Sequence, residues 1–271
     1  MGWNVNTAEI ILPFQVPGVE MYPYGKEVWM GSLYVLMCLA AMIHQSAGLN
    51  FTLDCNLSTM KEEVQKEILD CHNNIRRSVI PTASNMLKME WSHEAASDAQ
   101  RWANKCTLKV SEFSNRTTGD TVCSENVFAS SLSVCWKDVI LAWKLQKKNF
   151  IYGVGAINQK SHYLAYIQMI FYRTYKIGCG VSYCPNNIYK YFYVCQYCPA
   201  RNEVTSLATP YKKGERCADC PYSCYNGLCT NPCQYEDKYS NCQQLKDKLT
   251  CDFIPVKLHC KATCMCTSEI K

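Results

Sequence analysis

A chain of 271 residues with 20 cysteines and a formal charge of +5 has room for one domain of ~150 residues and a smaller appendage. So many cysteines exclude an ordinary cytosolic thiol protein and leave an oxidising compartment or a set of bound metals. The basic surplus is spread thinly, in pairs such as Arg76-Arg77 and Lys147-Lys148, which reads as a solvated surface and excludes a nucleic-acid site.

In chain order, the first feature is an apolar run from Trp29 to Ile43, interrupted only by Ser32 and followed by Ser46, Ala47 and Gly48. An apolar core before small residues is the pattern of a secretory signal, and it is short for a bilayer span of ~20 residues. Residues 1–48 are therefore read as an N-terminal extension plus a cleaved signal peptide, with Met30 as an alternative start. Their removal takes away Lys26 against Glu9, Glu20 and Glu27, raising the charge from +5 to +7. Acceptor sequons for N-glycans follow at Asn50, Asn56 and Asn115, consistent with export.

Thr59-Met-Lys-Glu62 reads as a capping box, and Val64, Ile68, Cys71, His72 and Ile75 then recur at helical spacing. Ser92 is placed to cap a second helix with Ala95, Ala96, Ala99, Trp102 and Ala103 on one face. Trp136 to Lys148 gives a third, with Val139, Ile140 and Trp143 inward. Ile167–Val181 and Ile188–Tyr197 are rich in β-branched and aromatic residues and read as strands, with Asn186-Asn187 suited to the turn between them. Helices on both faces of a short sheet would bury these stripes, which predicts an α/β fold, a three-layer α/β/α sandwich.

Residues 201–216 have linker composition. Beyond them, ten cysteines fall between Cys217 and Cys266, with too little apolar sequence for a core, so disulfides must do that work. Cys217 and Cys220 form a Cys-x2-Cys unit, but the remaining spacings and the single nearby histidine, His259, do not fit a zinc site. Tyr239 to Leu249 is read as short helical turns.

The stretches "EILDCHNNIRRSVIPTASNMLKMEWSHEAASDAQRWANKC", "CSENVF", "YGVGA", "YFYVCQYCPARN" and "GLCTNPC" resemble the cysteine-rich secretory proteins (CRISPs) of the CAP superfamily, most like the mammalian secretory members. The resemblance implies a CAP sandwich over 59–200, a linker and disulfide hinge over 201–232, and a toxin-like (ShK-type) helical module over 233–266. It also implies the pairings Cys106–Cys184, Cys123–Cys198 and Cys179–Cys195 in the first part. In the hinge it implies Cys217–Cys224 and Cys220–Cys229, and in the module Cys233–Cys266, Cys242–Cys260 and Cys251–Cys264. Cys55, Cys71 and Cys135 fall outside that register. They are open to three readings: free thiols, a Cys55–Cys71 bridge, or a thiol that pairs between chains.

CAP domains carry two histidines and two glutamates in a cleft that binds zinc in several relatives. Position by position, His72 matches the first histidine and Glu125 the first glutamate, with Ser124 in place of a glycine. The second glutamate falls on Gln146 and the second histidine on Ala165, with His162 three residues away, and Phe171 replaces a tryptophan. Gln does not ionise and Ala does not ligate, so His72 and Glu125 are expected as a hydrogen-bonded cleft remnant, with no catalytic residue, metal or cofactor. His93 is expected on a helix surface.

The resemblance thus implies a secreted, non-enzymatic protein of reproductive or exocrine fluids. It would bind partners on cell surfaces or in those fluids, with peripheral membrane association compatible and no nucleic acid. Its C-terminal module would modulate ion channels, with Tyr235, Tyr239, Lys238, Lys246 and Lys248 as candidate contacts. Two alternatives are a divalent-metal-dependent hydrolase of the cleft and a lipid or sterol carrier.

Overall fold

The computed structural model describes residues 55–118, 121–158, 160–200 and 207–271. The signal segment, Asn50 and the linker residues 201–206 lie outside them. Among the described residues no helix is long and apolar enough to cross a membrane.

Helix α1 (Glu62–Arg77) buries Val64, Ile68, His72, Asn73, Ile75 and Arg76, the 3.6-residue stripe expected from the sequence. Its start differs from expectation. Lys61 is the N-cap, in extended conformation and without a side-chain cap bond, while Thr59 is buried and its carbonyl accepts from Gln65 Nε2 at 2.9 Å. The backbone turns into the helix two residues after Thr59, so its hydroxyl is out of register with the free amides. Strand β1 (Glu90–Trp91) leads to α2 (His93–Ala103), where Ser92 Oγ accepts from the amide of Ala95 at 3.2 Å as the sequence predicts.

Two short strands, β2 (Thr117–Thr118) and β3 (Thr121–Val122), pair before β4 (Ser124–Ser130). Helix α3 (Trp136–Leu145) follows and tightens into a 3-10 turn at Gln146–Asn149. Then come the pair β5 (Phe150–Ile151) and β6 (Gly155–Ala156), helix α4 (Leu164–Ile170), β7 (Lys176–Tyr183) and β8 (Tyr191–Cys198). Here Ile167–Ile170 is helical, where the sequence reading has strand. A short apolar run is ambiguous by periodicity, and this one closes its hydrogen bonds locally, with Ile167 N bonding the Tyr163 carbonyl at 3.1 Å.

The main sheet has the order β1-β7-β8-β4, with β1 parallel to β7 and the other pairs antiparallel. Alternate residues of β8 divide the interior. Tyr193, Cys195 and Tyr197 join Ile68, Trp136, Ile140, Trp143 and Ile167 in the main core, packed under α1, α3 and α4. Phe192 and Val194 face Ala99 and Ala103 of α2 on the other side. This is the α/β/α sandwich. Each fully buried large side chain of this kind contributes ~1.5–3 kcal/mol. On the α2 side, Gly178 and Gly180 let the helix approach: a Cβ on Gly178 would lie 2.0 Å from the Ala96 nitrogen, and one on Gly180 2.4 Å from the Gln100 Cα.

The last part of the chain is built differently. Strands β9 (Cys224–Tyr225) and β10 (Leu228–Cys229) form a hairpin. Helices α5 (Cys242–Leu249), α6 (Ile254–His259) and α7 (Lys261–Met265) follow. Their core is little more than Cys242, Val256 and Cys260. The hairpin is seated on the body: Cys229 N donates to the Met86 carbonyl at 2.8 Å and Lys88 N to the Cys229 carbonyl at 2.8 Å. Tyr172 Oη donates to the Lys271 carbonyl at 2.8 Å and Tyr175 Oη to Gln234 Oε1 at 3.2 Å.

The bridges are Cys106–Cys184, Cys123–Cys198, Cys179–Cys195, Cys217–Cys224, Cys220–Cys229, Cys233–Cys266, Cys242–Cys260 and Cys251–Cys264. Cys55 and Cys135 are each disulfide-bonded as well. Cys71 is a free thiol, which overturns a Cys55–Cys71 bridge: Cys71 lies half-buried on α1, packed against the main core.

Arg76 also departs from the sequence reading, which places it on a solvated surface. It is 1% exposed. Its Nε donates to the Leu87 carbonyl at 2.8 Å, Nη1 to Met169 and Phe171 at 3.0 and 2.9 Å, and Nη2 to Tyr172 and Thr174 at 3.0 Å each. Burial pulls its pKa down to about 9, but five carbonyl acceptors satisfy the whole charged fork.

Candidate functional site

His72 sits in the middle of α1 and is completely buried. Its Nδ1 lies 2.8 Å from the Ile68 carbonyl and its Nε2 3.0 Å from Tyr197 Oη. A carbonyl only accepts, so Nδ1 carries the proton and Nε2 accepts from the tyrosine hydroxyl. Burial, with the charge of Arg76 adding to it, lowers the His72 pKa to about 4 against the bond to Ile68. The imidazole is neutral and both nitrogens are spent inside the protein.

From Tyr197 the bonding continues. Asn126 Nδ2 donates to Tyr197 Oη at 3.3 Å and to the Ala165 carbonyl at 3.0 Å. Ala165 N in turn donates to Gln146 Oε1 at 3.0 Å. A hydrogen-bonded chain therefore links three of the four positions that the sequence singles out: His72, Ala165 and Gln146. Burial pushes the Tyr197 hydroxyl well above its ordinary pKa, with the Asn126 bond opposing. Asn126, the connecting residue, escapes sequence reasoning. The period-2 alternation of β4 is the signal that could have found it, since a buried polar residue beside Glu125 must face the opposite side.

Glu125 is the position left out. It pairs in register with Gln196, and Ser124 pairs with Tyr197. Side chains alternate along a strand, so Glu125 and Gln196 project toward α2 while Asn126 and Tyr197 project toward α1. The sheet thus separates Glu125 from His72, and the expected cleft pair is not formed. Ser111 N donates to Glu125 Oε1 at 2.6 Å; Ser111 Oγ and Gln196 Nε2 donate to Oε2 at 3.2 and 3.3 Å. Burial raises the Glu125 pKa, opposed by these bonds and by the nearby Arg116 guanidinium. Arg116 is held down by burial in return and lies over the Phe113 ring, 4.2 Å from its centroid.

His162 and His93 are both exposed. The Sγ atoms of Cys217, Cys220 and Cys229 lie within 4.8 Å of one another, but all belong to the hinge bridges and offer no thiolate. These residues do not fit a zinc ion: the buried histidine has no free lone pair, and stable sites need three or four ligands. Asn56 and Asn115 are both exposed.

Among the channel-contact candidates, Tyr235 is 43% exposed and Tyr239, which packs on the His259 ring, 49%. Lys238 and Lys248 are exposed, but Lys246 is not a free contact. Its Nζ donates to the Thr263 carbonyl at 3.1 Å and ties α5 to α7. Phe253, the N-cap of α6, and Ile254 and Leu258 within it, unnoticed in the sequence, are exposed.

A sandwich with this sheet order and these buried side chains is that of CAP proteins. The structure is similar to that of "NaASP2 with Zn2+" at 27% identity and TM-score 0.55, over 65% of this chain and all of that one. It is similar to Na-ASP-1 at 29% identity and TM-score 0.53, over 62% of this chain and 47% of that one. It is also similar to BmVAL-1 at 26% identity and TM-score 0.53, over 65% of this chain and 98% of that one. The family model "Cysteine-rich secretory protein family" matches residues 69–197, and the model "Crisp" matches 217–271. The chain belongs to the cysteine-rich secretory branch of the CAP superfamily, and its many bridges fit an extracellular protein.

Proposed function

We propose that this is a secreted, non-enzymatic CRISP that acts by binding, with its C-terminal module engaging a membrane protein partner of the ion-channel class. The observation that carries the non-enzymatic reading is the spent histidine: both nitrogens of His72 are bonded, and Glu125 projects from the other side of the sheet. The zinc of the NaASP2 structure belongs to that protein, and the hydrolase reading would need a donor set that Gln146 and Ala165 cannot complete. For binding, a disulfide-locked module loses little conformational entropy on docking. It presents Ile254 and Leu258, 68% and 53% exposed, one helical turn apart on α6.

Calorimetric titration of the purified protein with zinc tests the first part. We expect no stoichiometric heat; a one-to-one site lost in Glu125→Gln would revive the hydrolase. Current recordings from a panel of cation channels test the second. A block that persists unchanged in Ile254→Asp/Leu258→Asp would remove the module face from the argument.

A further inference from the structure

The basic residues look scattered in the sequence, but the fold gathers four of them around the hinge hairpin. Arg77 ends α1. Its backbone carbonyl accepts from Nε and Nη2 of Arg216 at 3.2 and 3.1 Å, which sets the two arginines side by side. Arg216 also packs beside the hairpin turn: a Cβ on Gly227 would lie 3.1 Å from its Cδ. On the strand before that turn, the Tyr225 ring has its centre 5.6 Å from the ammonium of Lys88. Lys213 pairs by a backbone bridge with Ala83 in the loop between α1 and Lys88. Two chain segments far apart in sequence, 77–88 and 213–229, therefore present one surface.

Among the described residues, none of Arg77, Lys88, Lys213 and Arg216 has a carboxylate within ion-pair distance. The acids nearby are Asp219, engaged by Lys212 Nζ at 2.8 Å and Ser84 Oγ at 3.1 Å, exposed Glu215, and, around the cavity that Lys88 helps to line, Glu62 and Asp70, the latter paired with Lys66. The four cations thus have no carboxylate paired with them, while Arg216 gives Nε and Nη2 to the Arg77 carbonyl and Arg77 gives Nη2 to Asn74 Oδ1 at 2.6 Å, leaving their charge and remaining N–H groups for an external anion. Tyr225 of this hairpin and Tyr222 just before it are 63% and 101% exposed, as flat faces beside the charges.

We infer that this surface binds a sulfated glycosaminoglycan chain. The match is one of chemistry. Sulfate groups at repeating intervals meet several separate cations at once, the remaining guanidinium and ammonium N–H groups donate charge-assisted bonds to sulfate oxygens, and exposed rings stack on sugar faces. An extracellular setting supplies such polymers. The inference shares only export with the function proposed above, and the in vitro test does not depend on a channel partner.

The full chain is run on immobilised heparin, and its affinity for soluble heparin is measured against salt. The variants are Arg77→Gln/Arg216→Gln and, since Arg216 also braces the end of α1, the independent pair Lys88→Gln/Lys213→Gln. Lys147→Gln/Lys148→Gln removes the same charge elsewhere. Each hinge pair is expected to reduce the salt slope by about 2 and to weaken binding about tenfold or more, as loss of two charge contacts does for other polyanions. The remote pair should stay within about twofold. Equal losses in all three variants, or no retention of the parent protein at low salt, overturns the inference. So does binding to phosphatidylserine vesicles through these residues with none to heparin.

Discussion

The body of this protein and its tail solve the same problem by different means. From Asn56 to Ala200 the chain encloses Trp136, Trp143, Tyr193 and Ile68 on one side of a sheet and Phe192 and Val194 on the other. From Cys217 onward there are five bridges and hardly any interior. The body is stable because apolar surface leaves water; the tail holds because its unfolded form is constrained. It follows that the two should respond differently to reduction, acid and packing defects.

The largest effect expected breaks the simple form of that contrast, because the body also depends on a buried charge. Arg76→Met should cost ~3–5 kcal/mol, the range for removing one partner from a buried ionic arrangement. Thermal unfolding of the secreted variant measures this, and a change below 1 kcal/mol would mean the carbonyls find water instead. Next, Cys242→Ser with Cys260→Ser should destabilise the tail by ~2–4 kcal/mol. Limited proteolysis should then cut beyond Cys233 while the body keeps its melting temperature; joint melting of both parts would erase the distinction.

Acid should act on the body through His72. Its pKa is about 6.5 unfolded and about 4 folded, so below pH 6.5 the unfolded chain takes up a proton that the native protein refuses. The stability from a neutral His72 is present above pH 6.5 and lost as pH falls toward 4, roughly 3 kcal/mol in all. A denaturant midpoint series across pH 4–7 reads this, and His72→Gln should flatten it. The smallest effect concerns packing: Gly178→Ala should cost ~1–3 kcal/mol by overpacking. The neighbouring atoms are the Ala96 nitrogen and the backbone of α2, which have no rotamer to escape into. An unchanged melting temperature would show that α2 slides outward freely.

How far the sequence revealed this architecture also differs between the two regions. In the tail the cysteine register, once matched to the CRISP pattern, specifies the very pairs seen in the structure, because bridges fix neighbours that periodicity cannot. In the body, Ser92 announces α2 correctly through its own hydroxyl, whereas Thr59 has the right neighbours and the wrong backbone. His72 and Glu125 match motif positions, but a motif carries no information about which side of a strand a residue faces. The alternation of Glu125, Asn126, Gln196 and Tyr197 decides that. Arg76 left no trace in the sequence: its partners are backbone carbonyls, from Leu87 and from Met169 to Thr174, and every residue type has one.

That guanidinium has a consequence for how the chain assembles. It cannot shed water until the loop at Leu87 and the Met169–Thr174 stretch, from the end of α4 into the loop after it, have both arrived, since any missing carbonyl leaves a donor stranded in a dry interior. Collapse with either loop misplaced is therefore penalised at one atom group, and Arg76 serves as a checkpoint that only the correct topology passes.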